Sequence, residues 1–170
     1  MRKILVLIDF QNDFIDGSLG TSEAQAIVPA VLEKLDQYAP ENRLATLDTH
    51  FEDYLTTQEG KNLPVLHCQK GSVGWQMRQE AQVGYAQIFE KSTFGSVELA
   101  EFVRSEQIDE VELIGICTDI CVVTNAILIK TYAPEVKISV DAACCAGVSL
   151  EKHLAALETL RSCQVEIKNA

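Results

Sequence analysis

Apolar positions along the chain alternate between short unbroken runs and stretches with helical spacing. Ile4-Leu5-Val6-Leu7-Ile8 is a run of five closed by Asp9, and it predicts a fully buried strand over residues 3–8. Residues 22–38 carry Ala26, Ile27, Ala30, Val31, Leu35 and Tyr38 at helical intervals and predict a helix. The same reading gives strands at Arg43–Asp48, Tyr85–Phe89, Val111–Ile116, Val136–Val140 and Val165–Ile167, and helices over 96–106, 119–132 and 149–162. Strands that alternate with helices predict an α/β protein: a three-layer α/β/α arrangement around a doubly wound, mainly parallel sheet of about five to six strands. Residues 51–84 break the rhythm. They are polar, with Gly60, Pro64, Gly71, Gly74 and Gly84, and are too long for an ordinary connection, which predicts an excursion that carries function. No internal repeat or linker interrupts the chain, so residues 1–170 are expected to form a single domain.

In an open sheet of this kind, ligands bind beyond the carboxyl ends of the strands. The residues at those ends are Asp9, then Asp48 and His50, then Lys91, and finally the segment Cys117–Cys121 that leads into a helix. A carboxylate, a metal-type pair, an amine and a thiol are thus expected to converge.

Composition narrows the function. The 170 residues are 47% hydrophobic, enough to bury a core without disulfides or a structural metal. A net charge of −11 argues against nucleic acid, anionic membranes and acidic partners, all of which need basic patches. No stretch approaches the ~20 apolar residues of a membrane span, and Asp9, Asn12 and Asp13 cut short the first apolar run before it could serve as a signal peptide. A cytoplasmic location is expected, where thiols stay reduced and the six Cys are not a disulfide framework.

Cys121 falls in the first turn of a helix that Thr118 or Asp119 could cap. Partial positive charge there lowers a thiol pKa, and free N–H groups there suit an oxyanion. Position alone leaves two readings level, a nucleophile and a small buried hydrophobe. Cys117, Cys144, Cys145 and Cys163 fit the hydrophobe better, and the absence of a Cys-x-x-Cys weakens any redox reading of Cys117/Cys121 or Cys144-Cys145. Asp9, at the end of a buried strand, is either a base with a raised pKa or a turn cap. Lys91 is a surface lysine unless its strand-to-helix position matters. Asp48-Thr49-His50 puts two ligand types on one face of an extended segment, with His67 seventeen residues further on. A 2-His-1-carboxylate set leaves open positions and suits Zn²⁺, Fe²⁺ or Mn²⁺. His153 reads as structural.

Taken in order, Ile8-Asp9-Phe10-Gln11-Asn12-Asp13-Phe14, Asp48-Thr49-His50, His67-Cys68, Lys91 and Gly115-Ile116-Cys117-Thr118-Asp119-Ile120-Cys121-Val122 resemble the isochorismatase-like cysteine hydrolases, and among them the nicotinamidase/pyrazinamidase group. The resemblance spans nearly the whole chain and implies the isochorismatase-like hydrolase fold. It also implies a catalytic Asp9, Lys91 and Cys121, with Asp9 moving the proton and Lys91 holding the carboxylate. A cis Ile116–Cys117 bond and an oxyanion hole from the backbone N–H groups of Cys117 and Cys121 go with it. By the same resemblance Asp48, His50 and His67 hold a divalent metal, Zn²⁺ first, that ligates the substrate's pyridine nitrogen. Phe14 matches the family position that packs on the substrate ring, though a Phe near a strand end is also an ordinary core residue; Trp75, the only Trp, is by its own position either a second aromatic surface or a loop anchor packed on the domain. The implied reaction is hydrolysis of nicotinamide, and of pyrazinamide, to the acid and ammonia through a Cys thioester, an NAD salvage step.

Two departures stand out. Residues 51–66 contain no His, where relatives often carry one, and Pro64-Val65-Leu66 precedes His67 in place of a Trp-Pro-Pro-His run. The alternatives to nicotinamide hydrolysis are a metal-free relative acting on another small amide or N-carbamoyl compound, and an inert binding module of the same fold. A small-molecule amide is the expected partner, and a homo-oligomer is a family-level expectation.

Overall fold

In the computed structural model, which describes residues 2–170, six parallel strands form one sheet in the order β3-β2-β1-β4-β5-β6. These are β1 (Lys3–Ile8), β2 (Arg43–Asp48), β3 (Gln87–Lys91), β4 (Glu110–Ile116), β5 (Lys137–Ala146) and β6 (Glu166–Lys168). Every pairing is parallel. The chain starts in the middle of the sheet, runs outward to β3, and returns to β4 on the other side of β1. The order therefore reverses between β1 and β4, and the crevice at their carboxyl ends is where such folds bind ligands.

Successive side chains of β1 feed two cores, as the period of two requires. Ile4, Val6 and Ile8 pack on one face with Leu99, Val103, Val122, Ala126, Ile129 and Leu157, which belong to α5 (Val97–Ser105), α6 (Val123–Tyr132), α7 (Leu150–Ser162) and the turn before α6. Leu5 and Leu7 pack on the other with Phe14, Ala24, Val31 and Leu35 from α1 (Asn12–Ile15), α2 (Ser22–Ala26) and α3 (Val28–Asp36). Burial on both faces explains why the strand is an unbroken apolar run.

The helix expected over 22–38 is two helices. Thr21 caps α2 by accepting from Ala24 N–H, and α3 begins anew at Val28 with Pro29 in its first turn, where a missing N–H does no harm. β3 lies two residues later than the apolar run suggested, which makes Lys91 its last residue, paired with Asp48 of β2. β5 continues to Ala146 instead of ending at Val140, because a register shift beside Leu113–Gly115 lets the strand go on pairing past the irregularity. The excursion 51–84 is ordered by a 3-10 turn at Tyr54–Thr56, by α4 (Gln58–Asn62) and by a second 3-10 turn at Gln79–Ala81. Tyr54 anchors it: the ring is buried and its hydroxyl donates to the Leu63 carbonyl at 2.9 Å. Among the described residues no helix is long and apolar enough to cross a membrane.

Candidate active site

Asp9 leaves β1 with a positive φ of 45°, and its N–H donates to the Thr46 carbonyl at 3.2 Å, so the carboxylate turns into the crevice. Its Oδ1 accepts from the Thr46 hydroxyl at 2.7 Å, and its Oδ2 lies 2.6 Å from Lys91 Nζ. Lys91 Nζ in turn lies 3.7 Å from Cys121 Sγ, 3.5 Å from Asp48 Oδ1 and 2.9 Å from the Thr93 carbonyl that it also bonds. The Cys121 thiol is within hydrogen-bonding reach of the Asp9 carboxylate. The ends of β1 and β3 and the turn after β4 thus bring together Asp9, Lys91 and Cys121, as the sequence expected.

The electrostatics follow from burial. Burial raises the Asp9 pKa above its ordinary value, and the Lys91 charge only partly offsets it. Burial and the neighbouring Asp9 and Asp48 charges push the Cys121 thiol well above the usual cysteine range. Burial alone would lower Lys91, but Asp9, Cys121 and Asp48 outweigh it and keep the ammonium charged. The site therefore holds a thiol with a raised pKa beside a carboxyl group with a raised affinity for a proton, and a charged ammonium next to both.

Cys121 does not stand in an ordinary helical first turn. Thr118–Val122 form a single π-helical turn, and Cys117 opens it without a side-chain cap. The expected capping by Thr118 or Asp119 does not occur: the Asp119 carboxylate accepts instead from Val148 N–H, and the Thr118 hydroxyl bonds His153. The Cys117 carbonyl takes the N–H groups of Ile120 and Val122. The Ile116–Cys117 bond is cis. Gly115, just before it, has φ of 122°, and a Cβ there would sit 2.1 Å from the Ile8 carbonyl oxygen, so only glycine lets β4 approach β1 this closely. Asn125 of α6 holds the turn from below, donating to the Cys121 carbonyl at 2.8 Å and to the Phe94 carbonyl at 3.2 Å.

Asp48, His50 and His67 lie on the far side of Lys91, each offering one donor atom, all within 4.8 Å of one another. His50 N–H donates to the Cys68 carbonyl, and Lys70 N–H to the His50 carbonyl, a short parallel bridge that carries His67 back to the pair. Gln11 fixes Asp48 from behind: its amide donates to the Asp48 carbonyl at 2.8 Å and accepts from Asp48 N–H at 2.7 Å. Asp13 accepts from Cys68 N–H at 2.7 Å, which secures the chain next to His67. Burial would raise Asp48, yet the two imidazoles and Lys91 prevail and hold the carboxylate below its usual range.

These residues suit a divalent metal. His67 Nδ1 is 2.8 Å from the Val65 carbonyl, which leaves Nε2 free to ligate. His50 Nε2 is buried without a hydrogen-bond partner, although Asp48 Oδ2 is 2.8 Å away, as expected for lone pairs aimed at a shared point. A further carboxylate faces the same point: Glu59 Oε1 of α4 lies 3.7 Å from His50 Nε2 and 3.9 Å from His67 Nε2. Sequence reading passed over Glu59. It is one of four acids in the excursion, nine residues after His50, and nothing in the pattern sets it apart from Glu52, Asp53 or Glu80.

A cavity of about 300 Å³ opens onto these groups, lined on its apolar sides by Phe14, Leu63, Phe94, Ile116 and Ile120 and reaching Asp48, His67, Cys117 and Cys121. Phe14 lies against His67, ring centroids 5.6 Å apart. Phe94 is a second ring in the wall that the sequence did not single out. Trp75 is placed elsewhere. Its indole N–H donates to the Thr49 hydroxyl at 3.0 Å and its ring lines a separate surface pocket with Leu47 and Tyr85, so it braces the strand behind Asp48 and does not face the cavity.

Comparison with known proteins bears on this arrangement. A family model described as the isochorismatase domain matches residues 3–169. The chain belongs to the isochorismatase domain family. Within it the protein is similar to the nicotinamidase/pyrazinamidase of Mycobacterium tuberculosis (strain ATCC 25618 / H37Rv), 28% identical over 183 residues that cover 97% of each chain. Among solved structures it resembles pyrazinamidase/nicotinamidase from Streptococcus mutans UA159 (27% identity, TM-score 0.82, 97% of this chain and 99% of that one). Pyrazinamidase of Pyrococcus horikoshii in complex with zinc shares the fold (23% identity, TM-score 0.81, 98% of each chain). The isochorismatase-like hydrolase fold expected from the sequence is therefore the one adopted, with a sheet that is wholly parallel.

Proposed function

We propose that this protein is a metal-dependent cysteine amidohydrolase that converts nicotinamide, and pyrazinamide, to the acid and ammonia. The observation that carries the reading is the buried row Asp9, Lys91 and Cys121, with Lys91 Nζ 2.6 Å from the carboxylate and 3.7 Å from the thiol. The similarity to a nicotinamidase/pyrazinamidase over nearly the full chain supports it.

In this mechanism Asp9 takes the Cys121 proton as sulfur attacks the amide carbon. The raised pKa of Asp9 suits a group that must both accept a proton and return it. Backbone N–H groups of Cys117 and Cys121 receive the oxyanion. Collapse breaks the C–N bond, Asp9 passes its proton to the departing amine, and ammonia leaves a thioester on Cys121. Asp9 then takes a proton from the attacking water, the C–S bond breaks, and Asp9 returns that proton to the departing sulfur, which frees the acid and restores the thiol. Lys91 stays charged throughout and favours the ionised form of Asp9 at the start of each half. Asp48, His50 and His67 would hold the metal, with Glu59 beside them. Such an ion supplies a Lewis-acid anchor for the ring nitrogen of the substrate, in keeping with the zinc of the Pyrococcus horikoshii pyrazinamidase. A cavity near 300 Å³ fits a one-ring amide, and Phe14 and Phe94 offer it apolar walls.

Ammonia release from nicotinamide tests the proposal. The protein should release ammonia and nicotinate in equal amounts, and Cys121→Ser should abolish both while keeping the wild-type circular dichroism spectrum. No ammonia from the wild type, or substantial turnover by Cys121→Ser, overturns it.

A further inference from the structure

The nucleophile turn is held from the side. Two bonds reach it from the corner between β5 and α7: Val148 N–H donates to Asp119 Oδ1 at 2.9 Å, and His153 Nδ1 shares a 2.8 Å hydrogen bond with the Thr118 hydroxyl. Thr118 is fully buried, directly after Cys117 and three residues before Cys121. The corner is seated tightly. A Cβ on Gly147 would lie 2.8 Å from Asp119 Oδ1 and 2.9 Å from His153 N, so this residue is glycine because the corner and the turn touch. His153 is also the one histidine outside the metal-type cluster. Nothing in its sequence position set it apart from a structural residue of α7.

We propose that His153 is a positioning residue for the nucleophile turn: through the Thr118 hydroxyl it fixes the Cys117 N–H and Cys121 Sγ relative to Asp9 and Lys91. The inference rests on the amidase reading for its main readout. A shift of the turn moves the attacking sulfur and the oxyanion donor together, so it weakens the chemical step, while the Phe14, Leu63 and Phe94 walls, which lie outside the turn, keep most of the ring binding. Misplacing reacting groups by about 1 Å costs up to ~10²-fold in rate, so a loss of about 10- to 100-fold in kcat is expected when the bond is cut.

The test compares wild type, His153→Ala, His153→Asn, Thr118→Val, Thr118→Ser and the double variant His153→Ala/Thr118→Val in nicotinamide turnover. His153→Ala should lower kcat by about 10- to 100-fold, with KM within about twofold and metal content unchanged. His153→Asn, whose amide can still bond the hydroxyl, should recover most of the loss, and Thr118→Ser should stay near wild type. The double variant should be no slower than Thr118→Val alone, because both changes cut one contact. A second readout uses no substrate: the rate at which iodoacetamide alkylates Cys121, followed by peptide mass, should fall in His153→Ala and recover in His153→Asn. Unchanged kcat and alkylation in His153→Ala, multiplied losses in the double variant, or a loss confined to KM would overturn the inference. A wild type that is inactive on nicotinamide, while the alkylation rates follow the expected order, would overturn the amidase reading and leave the positioning role standing.

Discussion

Replacing Lys91 by Met removes the cation that faces the buried carboxylates Asp9 and Asp48. Its side chain is 3% exposed and lies 2.6 Å from Asp9 Oδ2 and 3.5 Å from Asp48 Oδ1. Breaking a buried pair by deleting one partner leaves an uncompensated charge and costs about 3–5 kcal/mol. For a chain of this size that corresponds to a Tm drop of roughly 6–20 °C. The sign with pH follows from Asp9. Its folded pKa already lies above the unfolded value, so between the two the folded state binds the extra proton, and stability falls as pH rises through the folded pKa. Without Lys91 the folded value climbs further and the window widens upward. Asp48, whose folded pKa is lowered, loses its contribution only in stronger acid, below this window. Urea denaturation of wild type and Lys91→Met, with metal content matched, should show a penalty of about 3–5 kcal/mol at pH 8 and a smaller one at pH 5. A penalty under about 1 kcal/mol, or one of equal size at both pH values, would refute the view that Lys91 compensates buried Asp9.

Three further outcomes are expected. Removal of metal by a chelator should abolish activity and lower Tm, since a ligand bound only by the folded state stabilises it; added Zn²⁺ should restore both, while His50→Ala and His67→Ala should purify with less than half the wild-type metal by elemental analysis. Gly115→Ala should destabilise by at least about 3 kcal/mol in urea titration and lower kcat, because its Cβ meets the Ile8 carbonyl at 2.1 Å and the strain passes directly to Cys117. Because attack needs Asp9 ionised and burial raises its pKa, kcat should fall on the acid side at a pH above the ordinary aspartate value of 3.8, whereas an acid limb at or below that value would mean that Asp9 is not desolvated.

The parts of the fold that could be read from sequence are those where burial is symmetric. β1 is covered on both faces, so its run of five apolar residues marks a strand without ambiguity, and Asp9 follows it as the first polar residue. Asp48 and His50 were found for the same reason. Periodicity failed where it carries through a break: Ile27, Ala30 and Val31 keep helical spacing across the junction of α2 and α3, and Pro29 was the only local sign of a second start. It failed again at β5, where Cys144 and Cys145 continue the strand because extra residues of β5 opposite Leu113–Gly115, not their own pattern, reset the register. At the site, side chains that act on the backbone were hidden. Gln11 and Asp13 sit in a motif whose visible members are Asp9 and Phe14, yet their role is to hold Asp48 and the chain beside His67. Glu59 and Phe94 come to the cavity from a helix of only five residues and a short loop, where no period announces direction. Of the two readings of Trp75, an aromatic surface for substrate and a loop anchor, the N–H bond to Thr49 favours the anchor, at the rear of the strand.

The central claim is that Cys121 carries the acyl group. The protein mixed with excess nicotinamide and quenched in acid during turnover should show, by peptide mass, one nicotinoyl group on the peptide containing Cys121. Wild type that turns nicotinamide over without any acyl group on Cys121, or a Cys121→Ala protein that still releases ammonia at the wild-type rate, would contradict it.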